Sequence, residues 1–279
     1  MKPLSTLLLL VLFSITSWSQ GNKFLESKEI GLIAATSYYI GDLNPDKHFG
    51  GKLSLGGGFM FRNNINKRWS LKGQLLVGRF QASDADSDDA WRRNRNLSVR
   101  NDIVEGTLQG ELNFIPYQIG NPKDRFSPYL FFGMAFYSHT PKAEFNGQFY
   151  ELQPLGTEGQ GTTEGGNRYA VNGVAFPFGA GLKANLFSIV ALSLEWGMRK
   201  TYTDYLDDVS GVYISPTVLA DENGVLAARL ADRSFEQEGQ FNDNAGQQRG
   251  DPGRNDWYSF TTLTLSFRIG KKPTSCWNQ

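Results

Sequence analysis

The sequence contains very little cysteine. Cys276 is the only one among 279 residues, so an internal disulfide is excluded. Its place just before the C-terminus predicts a flexible tail rather than a redox site. The stability of the fold therefore has to come from packing and pairing within the chain.

The sequence also lacks an excess of charge of either sign. Twenty-eight Lys and Arg residues balance 28 Asp and Glu residues, giving a formal net charge of +0. There is no basic footprint of the kind that binds nucleic acid and no acidic tail. Nucleic acid is therefore excluded as a partner.

Long apolar runs are absent except at the N-terminus. There, Lys2 precedes the apolar residues 7–15, and Ser17-Trp18-Ser19 has the small-x-small pattern of a cleavage site. We predict a signal peptide over residues 1–19 and a mature chain, 20–279, that forms a single domain. No cysteine follows the cleavage site to accept a lipid, and no later stretch reaches the roughly 18–20 apolar residues of a spanning helix.

Glycine and aromatic residues are plentiful, with 31 Gly, 20 Phe and 11 Tyr, a composition typical of all-β proteins. The mean hydropathy of −0.38 is that of a soluble chain, but transmembrane barrels have such values because only alternate side chains face lipid. Period-two alternation recurs and is clearest near the end, where Leu263, Leu265 and Phe267 share one face. It predicts eight strands, roughly within residues 29–40, 52–62, 68–79, 99–115, 128–138, 173–185, 188–202 and 257–269.

The connections between these strands alternate in length. Three are short and turn-like, whereas the other four, near residues 41–51, 80–98, 138–172 and 202–256, are long and polar. Bacterial outer-membrane barrels have short periplasmic turns and long extracellular loops. We therefore predict a transmembrane antiparallel β-barrel of about eight strands in the outer membrane, in contact with its lipids.

The two faces of the strands separate this prediction from its alternative, a soluble β-sandwich or a lipocalin-like barrel. Aromatic side chains on the apolar face suit a membrane-interface girdle: Trp69, Phe132, Phe136, Phe176, Phe178 and Trp196. The opposite face carries charges that a soluble core would not accommodate: Lys72, Glu105, Glu111, Lys183, Glu195, Arg199 and Arg268. We expect these charges to neutralise one another across a narrow lumen that side chains fill.

Signals for chemistry are weak. Asp84, Asp86 and Asp88 are poor candidates for calcium ligands, because the segment lacks an ordered calcium-loop pattern and the arginines that follow can pair with the carboxylates. His48 and His139, both near the outer rim, have no nucleophile motif beside them. We predict no enzyme, no cofactor and no metal. Arg249-Gly250-Asp251 is given little weight as an adhesion motif, and we interpret Asp204, Asp207 and Asp208 as a solvated charged face.

Four stretches of the sequence resemble the PorG-like family of outer-membrane barrels of the Bacteroidetes type IX secretion system, over most of the mature chain. They are residues 37–45, 152–161, 195–210 and 255–258. The residues of these motifs assigned to loops are Tyr39, Gly41, Asp42, Asn44, Pro45, Asp204, Asp207 and Asp208. The chain departs from the family pattern after Ile269, where ten further residues follow the last strand.

This resemblance implies a non-enzymatic component of the secretion apparatus. Its partners would be a periplasmic ring lipoprotein and the second ring protein, and its role would be to anchor the ring to the outer membrane. A filled barrel of eight strands would act by docking rather than by translocation. The alternative is a general small structural barrel or a narrow channel for small solutes.

Overall fold

The computed structural model describes residues 26–49, 54–239 and 243–270. The predicted signal peptide and Cys276 lie outside these ranges. Nine strands are described: β1 (Ser27–Ile40), β2 (Ser54–Asn64), β3 (Trp69–Ser83), β4 (Ser98–Asn113), β5 (Phe126–Phe145), β6 (Gln148–Glu151), β7 (Asn172–Asn185), β8 (Val190–Lys200) and β9 (Trp257–Ile269). Within the described ranges, no helix is long and apolar enough to cross a membrane.

Eight of the strands form a closed antiparallel ring. The order is β4-β3-β2-β1-β9-β8-β7-β5, and the pairing of β4 with β5 completes the ring. Closure leaves no unpaired edge, which is the condition for crossing a bilayer with strands. The predicted fold class, a transmembrane antiparallel β-barrel with short turns at one end and long loops at the other, is confirmed.

The alternation of the sequence determines which side chains face outward. In β1, Ile30 and Leu32 are exposed on the outer wall while Glu29 and Ile33 are buried inside. The same alternation continues around the ring. It gives an outer band of apolar side chains and an interior that contains both polar and apolar side chains. A shift of one residue in any register would exchange the two faces.

Two strands extend beyond their predicted ends, both toward the long loops. β3 continues to Ser83 rather than 79, and β5 continues to Phe145 rather than 138. The outward residues of these extensions are polar, among them Gln81 and Lys142. The hydrophobic alternation therefore ends before the strand pairing does.

The long connections are folded and contain elements that alternation did not predict. β6 pairs with the end of β5 through the turn Asn146-Gly147. Between β3 and β4 lie a 3₁₀ turn (Asp84–Asp86) and helix α1 (Ala90–Arg95), which Asp89 caps by accepting from the Trp91 amide. Between β8 and β9 lie three short helices: α2 (Pro216–Glu222), α3 (Val225–Ala231) and α4 (Phe235–Glu238).

The apolar core occupies the long-loop half of the barrel and continues into the folded loops. Leu76, Phe80 and Phe260 from the strands belong to the same buried cluster as Leu206 and Val209 from the loop before β9. We call the loops at this end, residues 41–49, 84–97, 146–171 and 201–256 as far as they are described, the cap. Because one core joins cap and barrel, the cap is part of the fold rather than an appendage.

Candidate functional site

The lumen toward the short turns holds a network of ion pairs centred on Glu111 of β4. Its carboxylate lies 2.9 Å from Arg62, 2.6 Å from Lys183 and 3.6 Å from Lys72. Arg62 also pairs with Glu29 at 2.9 Å. These five side chains come from five strands, and all are buried. Strand alternation therefore brings together charges that are distant in sequence.

A second carboxylate, Glu195 of β8, continues the network across the lumen. It accepts from Lys72 at 2.6 Å, from the Tyr129 hydroxyl at 2.9 Å and from Gln109 at 3.2 Å. Lys72 therefore bridges Glu195 and Glu111. The lumen at this level is filled by hydrogen-bonded side chains.

A third carboxylate, Glu105, lies nearer the cap. Arg199 donates to it at 3.2 Å, and the Tyr258 hydroxyl donates at 2.8 Å. The Arg199 guanidinium also lies 5.0 Å from the centre of the Phe260 ring, a cation–π distance. The buried lumen thus contains four carboxylates matched by four cations: Glu29, Glu105, Glu111 and Glu195 with Arg62, Lys72, Lys183 and Arg199.

Sequence reasoning missed two charged members of this network, Glu29 and Arg62. The signal was present, because Arg62 follows the outward Phe61 and Glu29 precedes the outward Ile30. Continuing the alternation by one residue would have placed both side chains in the lumen.

Arg268, also predicted as one of the lumen charges, is buried and lies at the short-turn mouth. Its guanidinium donates at 3.2 Å to the carbonyl of Ile119. Ile119 and Tyr117 are buried and belong to the segment between β4 and β5. Asn185 donates at 3.0 Å to the Gln118 carbonyl in the same segment. We call residues 114–125 the plug turn, because it folds into the short-turn mouth and closes it.

The first family motif is built into the cap at the end of β1. Tyr39 is an inward-facing strand residue rather than a loop residue, and its hydroxyl donates at 2.7 Å to Asp207. The Leu43 amide donates to both groups, at 2.9 Å to Tyr39 and 3.2 Å to Asp207. Asn44 donates at 2.7 Å to the Tyr39 carbonyl. Gly41 lies against Asp256 and the Tyr39 ring, where a Cβ would collide.

Asp42 and Pro45 of the same motif contact other loops. The Asp42 carboxylate accepts from the Asp251 amide at 3.1 Å, and the Pro45 carbonyl accepts from Arg254 at 3.1 Å. Arg95 of α1 donates at 3.3 Å to the Asp42 carbonyl. The motif residues therefore fasten three loops together.

Asp208 and Arg249 form a second set of hydrogen bonds between loops of the cap. Asp208 accepts from Thr157 at 2.5 Å and from Tyr169 at 2.6 Å. Arg249 donates to Glu158 at 2.8 Å and to the Asp208 carbonyl at 2.5 Å. Arg249 is buried, so the Arg-Gly-Asp tripeptide presents no free arginine for adhesion.

The cap contains carboxyl groups with raised pKa values. Burial raises the pKa of Asp204 to about 7 and that of Asp208 to about 6. Burial also holds the pKa values of Asp207 and Asp256 well above their ordinary value. Asp204, Asp207 and Asp208 were expected on a solvated face, but they and Asp256 are buried because the loop before β9 folds inward.

Two of the three weak metal candidates are paired with cations. Asp84 binds Arg95 through both carboxylate oxygens at 2.7 Å, and Asp88 lies 3.0 Å from Lys47. Asp86 lines a hollow of about 270 Å³ between the first two loops. Among the residues that the structure describes, no three acidic, histidine or cysteine side chains are placed to hold a metal ion.

The two histidines lie on different sides of the barrel wall. His139 is buried at the lumen's upper end, with Nδ1 3.0 Å from the Asn101 side chain. His48 lies 3.2 Å from the Tyr38 hydroxyl, on the outward side of β1. The structure does not bring the two together.

Comparisons with known proteins find one family and a set of similar structures. The family model described as "Domain of unknown function (DUF6089)" matches residues 5–212. No curated protein matches.

The similar structures include three membrane proteins. Ail, the attachment invasion locus protein of Yersinia pestis in complex with the heparin analogue sucrose octasulfate, has 11% identity and a TM-score of 0.39, covering 88% of this chain and 97% of that one. Outer membrane protein OprG from Pseudomonas aeruginosa has 8% identity and a TM-score of 0.40, covering 90% of this chain and 99% of that one. Neisserial surface protein A has 7% identity and a TM-score of 0.40, covering 87% of this chain and 97% of that one. The fold assignment rests on the strand pairing of this chain itself.

Proposed function

This chain belongs to the DUF6089 family, whose description assigns no activity, and from its geometry we propose a non-enzymatic outer-membrane anchor that binds other proteins at its rims. Following the resemblance of its motifs, we propose that it is a component of the type IX secretion system. In this role it anchors the periplasmic ring through the ring lipoprotein and its partner.

The observation that carries the proposal is that the barrel is closed along its length. Lys72, Glu195 and Glu111 fill the lumen, the plug turn fills the short-turn mouth, and the cap covers the other. A solute would have to separate buried ion pairs to pass. This is strongly unfavourable, because a buried charge without its partner is not compensated. Function is therefore assigned to the surfaces at the two ends.

The short-turn rim supports a periplasmic partner. It exposes large apolar side chains at its turns: Ile65, Phe114, Ile115, Leu186 and Phe187. Phe187, at the tip of the β7–β8 turn, is 71% exposed and lies beside a hollow of about 310 Å³ that Arg125 also lines. Exposed apolar side chains with an adjacent cation suit a protein interface, in which aromatic residues and arginine are enriched.

A matched pair of variants tests this docking surface. We expect Leu186→Ser with Phe187→Ser to reduce co-purification of the ring lipoprotein from membranes at least several-fold, because the rim loses its apolar anchors. The control is Val225→Ser, which removes an apolar side chain of similar exposure, 61%, from the opposite end. Equal co-purification of the ring lipoprotein with the wild type, the double variant and the control would reject docking at this rim.

Deletion of the gene tests the secretion role separately. The expected result is loss of type IX cargo from the culture fluid and restoration by the wild-type gene. Unchanged secretion would reject the type IX assignment and leave the general structural barrel. Steady conductance of the purified barrel in a planar bilayer would reject both the type IX anchor and the general structural barrel, and would favour a narrow channel.

A further inference from the structure

The outer wall formed by β2, β3, β4 and β5 carries a groove within its apolar band. Its volume is about 790 Å³. Two outward-facing glycines, Gly73 of β3 and Gly106 of β4, form its floor. The walls are apolar side chains: Phe59, Phe61, Leu75, Leu108, Met134 and Phe136.

The strand register aligns these residues in two adjacent rows. Gly106 pairs with Leu75 on one side and with Phe136 on the other. Two residues along the strands, Gly73 pairs with Phe61 and with Leu108. Outward side chains in successive rows are about 7 Å apart along a strand. The two glycines are therefore next to each other diagonally and leave one continuous depression.

The fold itself does not require glycine at either position. A Cβ at Gly73 would come no closer than 4.0 Å to any other atom outside its neighbours, and one at Gly106 no closer than 3.5 Å. By contrast, a Cβ at Gly58 or Gly133 would collide with the neighbouring backbone. Glycine weakens a strand interior because it adds backbone entropy and packs nothing. The space above Gly73 and Gly106 is thus available to something outside the chain.

The surroundings of the groove identify its occupant. The groove is continuous with the apolar outer band, which already faces lipid. The polar residues beneath its floor, Gln74 and Thr107, point into the barrel and are buried. No outward side chain of the groove offers a hydrogen bond, which suits a hydrocarbon chain because it needs none. We propose that this groove binds one acyl chain of a membrane lipid, held more firmly than the lipid elsewhere around the barrel.

Photo-crosslinking with a defined lipid tests the proposal. The full-length barrel is reconstituted with phosphatidylcholine carrying a diazirine in the middle of one acyl chain, and labelled residues are mapped by mass spectrometry. We expect Leu75 and Leu108 to be labelled at least several-fold more than Leu194 and Leu263, which are exposed on other strands of the band. Equal labelling of the two pairs would overturn the proposal.

Filling the groove provides the matched comparison. Gly73→Leu with Gly106→Leu should reduce labelling at Leu75 to the average of the band. Ala34→Leu with Ala180→Leu adds a similar apolar volume, one carbon atom less at each site, at exposed positions outside the groove and should leave labelling at Leu75 unchanged. Unchanged labelling in the groove-filling variant would also overturn the proposal.

Two further measurements guard against a folding defect or a different occupant. Gly106→Ala, which fits within the available space, is expected to give an intermediate decrease, and gel mobility before and after heating shows whether each variant is folded. A photoreactive amino acid at position 108 should crosslink lipid in native membranes. Capture of a protein there instead would overturn the assignment to an acyl chain.

Discussion

The ammonium nitrogen of Lys72 lies 2.6 Å from the carboxylate of Glu195 across the lumen, and both side chains are buried. Neither group has bulk water as an alternative partner. The pair therefore makes the stability of the barrel depend on each charge being matched.

Removing one member of this pair should destabilise the barrel strongly. For Lys72→Met we expect a loss of about 3–5 kcal/mol in the free energy of unfolding, because the Glu195 carboxylate stays buried without its cation. Urea titration in detergent micelles, followed by gel mobility, measures this loss. The double variant Lys72→Met with Glu195→Gln should recover part of it.

An exposed ion pair provides the control for this experiment. Lys47 lies 3.0 Å from Asp88, but both side chains are largely exposed. We expect Lys47→Met to change the unfolding free energy by about 0–1 kcal/mol. Similar losses for Lys47→Met and Lys72→Met would contradict the role given to the lumen network.

The face on which Lys72 and Glu195 lie could be predicted from sequence, but their pairing could not. Period-two alternation assigns each side chain to a face. Which charges meet across the lumen depends on strand tilt and stagger, which the sequence of one strand does not contain. Thus Lys72 of β3 meets Glu195 of β8, although the two strands are not neighbours in the ring.

The cap was less predictable, because its contacts join residues that are far apart in sequence. Asp207 was expected on a solvated surface, yet Tyr39 donates to it from 168 positions away. One local signal was overlooked: Asn146-Gly147 is a typical hairpin turn and predicts β6. The three helices before β9 are too short to be predicted from their apolar pattern.

Buried carboxyl groups should make the cap less stable as the pH rises. Burial raises the pKa of Asp204 from 3.8 to about 7, so the folded cap holds a proton that the open cap releases near pH 4. This contribution to stability is full below about pH 4 and is lost as the pH rises through about 7. Hydrogen exchange of residues 204–210, corrected for intrinsic rates, should show more opening at about pH 7.5 than at about pH 5.

Asp204→Asn should weaken this pH dependence, because the amide carries no charge at any of these pH values and only the other buried carboxyl groups of the cap still titrate. Asp88→Asn is the control, since Asp88 is exposed beside Lys47, and it should keep the wild-type profile. A wild-type profile in the Asp204→Asn variant would mean that Asp204 does not control opening of the cap.

Gly120 of the plug turn should tolerate no larger residue. Its φ is +80°, and a Cβ there would collide with the carbonyl oxygen of Ser188. Gly120→Ala combines left-handed strain with overpacking, and we expect a loss of about 3 kcal/mol. Gly147→Ala separates the two effects, because Gly147 has a φ of +78° with open space around it. Gly147→Ala should lower the free energy of unfolding by only about 1 kcal/mol. Equal losses for the two variants would show that the Ser188 backbone moves to make room for the added Cβ.

The last prediction concerns Arg249, which connects loops of the cap without touching the lumen network. It donates to Glu158, to the Asp208 carbonyl and, at 3.0 Å, to the Ala231 carbonyl. Arg249→Met leaves the Glu158 carboxylate buried without its cation and removes a donor from the two carbonyls, so we expect the cap to open more easily by about 3–5 kcal/mol. Hydrogen exchange should rise in residues 155–162 and 206–211 and stay unchanged in the strands near Glu111. Arg254→Met, at an exposed position, should change neither region. Faster exchange in the strands would mean that the barrel depends on the cap, whereas exchange confined to the loops would show that the barrel remains stable when the cap loosens.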